Sequence, residues 1–264
     1  MLNTFGFLMR VYLYIIVFCF LSCREAATEM PASTRLFYFD ALALAGTGKV
    51  CVYEPVSDPL HPVEYWHKRF SGDFRGNHIY SRLLSSSGRL LQSMAESIDP
   101  KGAALVKLDL FYDDSPDESD TLIQAIPLIP DSSAEVRSRM VSVRINEATT
   151  FLFGPPDSTV AAKYQIEYIE PGPDSVRVIL TRLRRFVGEQ EYLYQGETYP
   201  ALRYEVNETL ETETEGFTMS EWVTTEVYAL GLGLVYYRKP INEEFILEYR
   251  LRDIRDYSEF FTSK

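Results

Sequence analysis

The sequence contains few of the residues from which catalytic and metal-binding sites are usually built. Its 264 residues include three histidines and three cysteines. It has neither the Gly-x-Ser-x-Gly turn of serine hydrolases nor a glycine-rich phosphate loop, so these two chemistries have no recognisable motif in the chain. The absence of a catalytic motif predicts that the protein is not an enzyme and that it binds no cofactor.

The sequence also lacks a surplus of positive charge. Lysine and arginine number 26 against 38 aspartates and glutamates, which gives a net charge of −12. Nucleic-acid phosphates require a basic surface, and so does docking on anionic lipid headgroups. We therefore expect no nucleic-acid partner, and attachment to a membrane has to come from another source.

A long apolar run is likewise missing, although a short one lies near the N-terminus. Arg10 is followed by eleven apolar residues, 11–21, and then by the small Ser22. Eleven helical residues span roughly 16 Å, about half of a hydrocarbon core, which disfavours an uncleaved transmembrane anchor. A positive charge, a short apolar stretch and a small residue form the pattern of a secretory signal. Residues 1–22 are therefore predicted to be removed on export.

The segment Phe20-Leu21-Ser22-Cys23 resembles the lipobox of bacterial lipoproteins, with Phe20 where leucine is usual. The resemblance implies that cleavage falls between Ser22 and Cys23, and that the Cys23 sulfur carries a diacylglycerol. With its acyl chains, palmitate among them, Cys23 would anchor the protein to the membrane. Arg24 stands where an aspartate retains some lipoproteins in the inner membrane, which implies the outer membrane of a bacterial envelope. The small, polar residues 23–34 are predicted to form a tether.

Beyond residue 34, apolar and polar residues alternate with the period of a β-strand. Phe245, Leu247, Tyr249 and Leu251 fall on one face of such a strand, opposite charged residues. Turn sequences, among them residues 99–102, separate about twelve to fourteen such runs at hairpin distances. The pattern predicts a single all-β domain, residues 35–264, in which an antiparallel meander curls into a half-barrel or forms a two-layer sandwich.

Helical signals are few. Residues 90–98 fit both the helical and the strand period, and the turn after them favours a strand. Short helices are predicted at residues 39–45 and 255–261. The pair Gly231 and Gly233 is predicted to bend a strand or to let another backbone approach closely.

Two clusters contain residues of types that bind metals. His61, Glu64 and His67 lie three residues apart, so they do not share one face of a strand, and their spacing does not fit a zinc site on a helix. Residues 113–120 are rich in aspartate and glutamate but lack the glycine of a calcium loop, which favours a solvated hairpin tip. We therefore predict no metal site. Cys51, in an apolar stretch, is predicted to be a small buried residue.

Aromatic residues are plentiful, with 18 tyrosines, 16 phenylalanines and two tryptophans. Packing in the core is the default interpretation for them. As an alternative, Tyr65, Trp66, Trp222 and Tyr236 are predicted to line an apolar groove in the curved sheet.

The C-terminal third carries a second resemblance. Residues 196–201 lead into a strand, Trp222 follows, and residues 227–237 combine glycines with aromatic residues before a last strand. This order resembles the uncharacterised β-rich lipoproteins of Bacteroidota-type bacteria, which implies an envelope location and an antiparallel β body.

Two functions are predicted from these patterns. The first is non-enzymatic binding or carriage of an apolar small molecule in the curved sheet, by analogy with other envelope carriers. The alternative is a structural or assembly protein of the outer membrane that acts through a protein-binding face, with another envelope protein as its partner.

Overall fold

The computed structural model of the chain describes residues 35–73, 76–113, 138–153, 157, 159–172, 175–213, 216–242 and 245–262. The predicted signal peptide, Ser22, Cys23 and the tether lie outside these residues, as does most of the acidic segment 113–120. None of the helices that the structure describes is long and apolar enough to cross a membrane.

Strands make up most of the described chain, with a short helix at either end of the strand series. In chain order the elements are α1 (Arg35–Tyr38), β1 (Lys49–Pro55), β2 (Glu64–Asp73), β3 (Gly76–Leu84), β4 (Leu90–Ile98), β5 (Gly102–Asp113), β6 (Ser138–Ser142), β7 (Arg144–Ala148), β8 (Phe151–Leu152), β9 (Ala161–Glu170), β10 (Val176–Tyr194), β11 (Glu197–Glu213), β12 (Phe217–Ala229), β13 (Gly233–Pro240), β14 (Ile246–Asp256) and α2 (Tyr257–Thr262).

The fourteen strands belong to one antiparallel sheet, in which thirteen follow the order β6-β5-β4-β3-β2-β1-β14-β13-β12-β11-β10-β9-β7 and β8 pairs with β5 off this path. Strands that follow one another in sequence pair almost throughout, and β1 pairs with β14, so the first and last strands are neighbours. The sheet curls into a nearly closed barrel. The predicted all-β meander in a curved sheet is confirmed, and residues 90–98 form a strand as predicted.

The segment 138–153 lies at the seam between the two edges of the sheet. Its first part, β6, pairs with β5, and its second part, β7, pairs with β9. Val143 lies between the two parts, and its amide donates to the Leu108 carbonyl at 3.0 Å. The following β8 pairs with β5 again. This one segment therefore bridges both edges, which would otherwise present unpaired backbone groups.

The C-terminal helix α2 matches the helix predicted at residues 255–261 and packs on the sheet. Phe260 is buried against Val50 and Val52 of β1. The other prediction, a helix at residues 39–45, is wrong, because α1 ends at Tyr38 and turns follow. The side chain of Asp40 accepts hydrogen bonds from the amides of Leu42 and Ala43, at 2.9 and 3.3 Å, and such local bonds compete with a helix.

The segment 35–48, which we name the plug, lies across one end of the barrel. Leu36 and Leu44 are held by backbone hydrogen bonds from Gly231 and Phe70, at 2.9 and 2.8 Å. Gly233 has a φ of +80°, and a Cβ there would lie 3.2 Å from the Tyr38 carbonyl oxygen. Glycine at position 233 thus permits both the backbone conformation and the close approach of the plug, which is one of the two roles predicted for the glycine pair, whereas a Cβ at Gly231 would meet nothing within 4 Å.

The strand period also directs charged side chains into the barrel. Along β11, Leu202, Tyr204, Val206 and Glu208 are all buried at alternate positions. Successive side chains on a strand point to opposite faces, so Glu208 shares the face of the three apolar residues. The same alternation on β10 and β12 brings further charged residues inward.

Candidate functional site

A cavity of about 270 Å³ lies inside the barrel, beneath the plug. At roughly 30 Å³ per water, it has the volume of about nine water molecules. Its apolar lining includes Ile79, Met94, Leu105, Phe151 and Leu234. Its charged lining consists of Glu64, Lys68, Glu96, Lys163, Arg182, Arg184 and Glu226. The cavity is therefore amphipathic, unlike the apolar groove predicted from the sequence.

Trp66 is the one member of the predicted aromatic groove that lines this cavity. Its neighbour Tyr65 packs against Phe260 of α2, with ring centroids 5.1 Å apart. Adjacent residues on a strand point to opposite faces, so Tyr65 and Trp66 cannot line one groove. The prediction for Tyr65 is wrong for this reason.

The two remaining groove residues are not part of the cavity wall either. Tyr236 donates to Glu248 at 2.9 Å, and it is Tyr237, one position further, that lines the cavity. Trp222 donates from its indole nitrogen to Glu208 at 2.7 Å. Trp222 therefore supports the charged residues beside the cavity, and the predicted four-residue groove is wrong as a group.

Arg182 is the centre of an ionic network of five side chains on β10 to β13. Its Nε lies 2.8 Å from Glu208 Oε1, and its Nη2 lies 2.7 Å from Glu226 Oε1. Its third nitrogen, Nη1, donates to the Tyr164 hydroxyl at 2.8 Å. All three nitrogens of the guanidinium thus have partners, and Arg182 binds two carboxylates at once.

Each carboxylate of the network has a second cation. Lys239 Nζ lies 2.6 Å from Glu208 Oε2 and 4.5 Å from the centroid of the Trp222 ring. Arg184 Nε lies 2.8 Å from Glu226 Oε2. Buried charges are tolerated when they are paired with opposite charges in this way.

The pKa of both carboxyl groups in the network is lowered. Burial by itself would raise the pKa of Glu226, but attraction to Arg184 and Arg182 outweighs it and lowers the pKa to about 2. Burial alone would also raise the pKa of Glu208, but Arg182 and Lys239 lower it below its ordinary value. Both carboxylates are therefore held in the ionised form.

The opposite wall of the cavity carries two carboxyl groups whose pKa is raised instead of lowered. Glu64 accepts hydrogen bonds from Trp66 and Tyr237, each at 2.8 Å, and Glu96 accepts one from Tyr38 of the plug. Burial raises the pKa of both Glu64 and Glu96, and these hydrogen bonds only partly counter it. The two walls therefore differ. Arginines pair with the carboxylates of one wall, whereas mainly hydroxyl and indole groups donate hydrogen bonds to the carboxylates of the other wall.

His61, Glu64 and His67, from which the spacing predicts no metal site, do not converge on a common point in the structure. His67 lies against α2, where its ring stacks on Tyr257 at 3.9 Å and its Nε2 lies 2.7 Å from the Thr47 carbonyl oxygen. Glu64 lines the cavity instead. Among the residues that the structure describes, no group of three potential ligands is placed to hold a metal ion. Cys51 is buried as predicted, and burial raises the pKa of its thiol.

Reasoning from the sequence missed the ionic network. A signal for it existed, because Glu208, Arg182 and Glu226 each occupy an inward position of a strand that also carries apolar residues on its inward face. A charged residue in the apolar phase of a strand is the feature that could have identified the site.

Comparison with known proteins gives two similar structures. No protein-family model matches the chain, and no curated protein matches it. A candidate lipoprotein from Parabacteroides distasonis is 14% identical, with a TM-score of 0.44, over 83% of this chain and 98% of that one. A candidate exported protein with a YmcC-like fold, from Bacteroides fragilis, is 10% identical, with a TM-score of 0.47, over 83% of this chain and 99% of that one.

Proposed function

We propose that this chain is a lipid-anchored protein of the bacterial envelope whose barrel interior binds a small molecule without transforming it. The observation that carries the proposal is the amphipathic cavity beneath the plug. Charged groups on both walls and apolar side chains surround this cavity. Binding sites for small molecules commonly combine apolar walls with a few fixed polar groups. At about 270 Å³, the cavity suits a small ligand.

The ionic network favours a binding role over a purely structural one. Charged side chains fill a barrel interior poorly, since apolar residues of similar volume are often as stable or more stable there. Here Arg182 and Arg184 line an open volume instead of a packed core. Their positions are set by several partners each, which makes the wall preorganised for a ligand.

The same geometry disfavours catalysis. Glu208 and Glu226 are held as ions by two cations each, so neither is free to exchange a proton near neutral pH. The Cys51 thiol is buried with a raised pKa, which lowers its reactivity. A non-enzymatic role without a cofactor is thus part of the proposal.

The proposed anchor rests on the sequence near the N-terminus. The lipobox-like segment at Cys23 would attach acyl chains, and the plug begins only twelve residues later, at Arg35. The barrel would then sit close to the membrane, plugged end first. The outer membrane is the proposed location.

A second candidate function, assembly with another envelope protein, is favoured by one surface feature. Phe217, Met219 and Val223 on β12 are 65%, 56% and 47% exposed. These residues point to the same face of the strand, and clustered exposed apolar residues often mark contact surfaces. A partner on this face would be compatible with a ligand inside the barrel.

Binding can be tested with the intrinsic fluorescence of the full-length protein in phosphatidylcholine vesicles. The chain has two tryptophans, and Trp66 lines the cavity whereas Trp222 does not. We expect at least one of three small probes, hexanoate, hexan-1-ol or hexylammonium, to change Trp66 emission saturably. The Trp66→Phe variant, which keeps Trp222, should lose the signal, and Ala162→Phe should block it by filling the cavity. The proposal fails if no probe binds, or if Ala162→Phe binds as well as the wild type.

A further inference from the structure

We infer that the ligand of this cavity carries a carboxylate or a similar anionic group, which Arg184 and Lys68 bind, while its apolar part lies against Leu105, Phe151 and Leu234. This inference rests on the proposed binding function and specifies the chemical class of the ligand. It is carried by two cations in the cavity wall of an otherwise acidic protein, Lys68, which has no ion-pair partner among the described residues, and Arg184, whose nitrogens have no hydrogen-bond partner there.

The ionic network has more cations than carboxylates. Its positive members are Arg182, Arg184 and Lys239, and its negative members are Glu208 and Glu226. Three positive charges against two negative ones leave one positive charge in excess. The chain as a whole has a net charge of −12, so this local excess is opposite in sign to the protein.

Arg184 is the member of the network whose hydrogen-bonding capacity is not used. Its Nε lies close to Glu226 but is not aligned with it, and it has no hydrogen-bond partner among the described residues. No described residue accepts a hydrogen bond from its two terminal nitrogens. The guanidinium lies over the rings of Phe151 and Tyr228, 5.1 and 5.6 Å from their centroids. A planar guanidinium with free nitrogens suits a carboxylate, which it binds with two parallel hydrogen bonds.

Lys68 supplies a second cation to the same cavity. It lines the cavity from β2 and has no ion-pair partner within the part of the chain that the structure describes. Lys68 and Arg184 line the same cavity as Glu96, and both attract its carboxyl group electrostatically. Lys163 also lines the cavity, but its Nζ lies 2.7 Å from Glu147, so its charge is already matched.

The carboxyl groups on the wall of Glu64 and Glu96 repel an anion less than their number suggests. Burial raises the pKa of both groups, so each takes up a proton more readily than an exposed glutamate. The Glu226 carboxylate faces Arg182 and Arg184, which already balance it. Lys68 and the nitrogens of Arg184 are thus the cationic groups of the cavity wall that an incoming anion can bind.

The class of ligand can be tested with the same vesicles and the same three probes, which share one apolar chain and differ in charge. We expect hexanoate to bind Trp66-containing protein about ten-fold more tightly than hexan-1-ol, and hexylammonium to bind most weakly. Lys68→Gln should weaken hexanoate binding by about ten-fold and leave hexan-1-ol unchanged, since one charge contact is lost. Arg184→Lys, which keeps the charge but loses the planar fork, should weaken hexanoate binding as well.

Lys107→Gln is the matched control, because it removes a lysine that is paired with Asp109 at 2.8 Å and does not line the cavity. It should bind hexanoate like the wild type. Equal binding of the three probes, or a preference for hexylammonium or hexan-1-ol, would overturn the anionic class while leaving a binding cavity in place. The assignment to Lys68 and Arg184 is overturned if both variants keep wild-type affinity for hexanoate. Failure of all three probes would instead refute the proposed function itself.

Discussion

Arg182 Nη2 lies 2.7 Å from Glu226 Oε1, inside the barrel and across the intervening strand β11. The strand between them contributes Glu208, which is the direct cross-strand partner of Arg182. The three side chains therefore tie β10, β11 and β12 together on the inner face of the sheet. Removing the central cation leaves two buried carboxylates without their shared partner.

Replacement of Arg182 by methionine should lower the free energy of unfolding by about 1–3 kcal/mol, because each buried carboxylate loses a charge-assisted hydrogen bond and keeps only one cation. Urea unfolding of the full-length protein in mild detergent measures this change. Arg177→Met is the matched control, since Arg177 also bridges two carboxylates, those of Glu167 and Glu213, but does so on the exposed surface. Exposed pairs contribute little, so this variant should unfold like the wild type. Equal losses for the two variants would refute a special role for the buried network.

Stability should fall in acid because of Glu226. Its pKa in the folded protein, about 2, lies below the ordinary value of 4.5, so the ionised carboxylate stabilises the fold above that value. This contribution, on the order of 3 kcal/mol, is lost as the pH falls through about 2. Urea unfolding at a series of pH values should show a smaller acid-dependent loss for Glu226→Gln than for the wild type.

Glu96 should show the opposite sign, which makes Glu96→Gln a control for the acid series. The folded protein holds the proton of Glu96 more tightly than the unfolded chain does, because burial raises its pKa. Its contribution to stability is therefore present at low pH and is lost as the pH rises above the ordinary value of 4.5. Glu96→Gln should retain the acid-dependent loss and should reduce the decline at higher pH. The reverse pattern for Glu226→Gln and Glu96→Gln would contradict the assigned pKa directions.

The plug should depend on the hydroxyl group of Tyr38. That hydroxyl donates to Glu96 inside the barrel, and its ring stacks on Tyr228 at 5.7 Å. Tyr38→Phe keeps the ring but leaves a buried acceptor unsatisfied, which should cost about 1–3 kcal/mol in thermal or urea unfolding. Tyr199→Phe removes an exposed hydroxyl that donates to Glu197, and it should have no measurable effect. A Tyr38→Phe variant as stable as the wild type would show that the plug is held by ring packing alone.

The lipid anchor can be tested by metabolic labelling with a clickable fatty acid. Wild-type protein should incorporate the label and Cys23→Ala should not, because the proposed acylation needs the Cys23 sulfur. Cys19→Ala is the matched control, since it removes a cysteine four residues earlier in the predicted signal. Labelling that survives in Cys23→Ala, or disappears in Cys19→Ala, would refute the assignment of the anchor to Cys23.

The strands could be predicted from the sequence because their period is local. The alternation in residues 245–252 and the turn at residues 99–102 both correspond to observed elements, β14 and the β4–β5 connection. The closure of the barrel could not be predicted in this way. It depends on Val143, where one segment changes partner from β5 to β9, and no local pattern records such a change.

The site was harder to predict than the fold, because its residues come from strands far apart in sequence. Trp66 lines the cavity as predicted, whereas Tyr237 lines it in place of the predicted Tyr236, because the sequence alone does not show which of two adjacent tyrosines points inward. Glu208 and Arg182 were overlooked because charged residues are expected to face water. Their inward positions can be recognised only when the period-two alternation of the apolar residues on either side is extended through them.

The claim that the barrel interior holds a ligand is tested most directly by extracting protein purified from its own membranes with organic solvent and analysing the extract by mass spectrometry. We expect the wild type to release a small organic anion in an amount stoichiometric with the chain, and Ala162→Phe, with its cavity filled, to release none. The account is contradicted if the wild-type protein releases no such molecule, or if the filled variant releases the same molecule in the same amount.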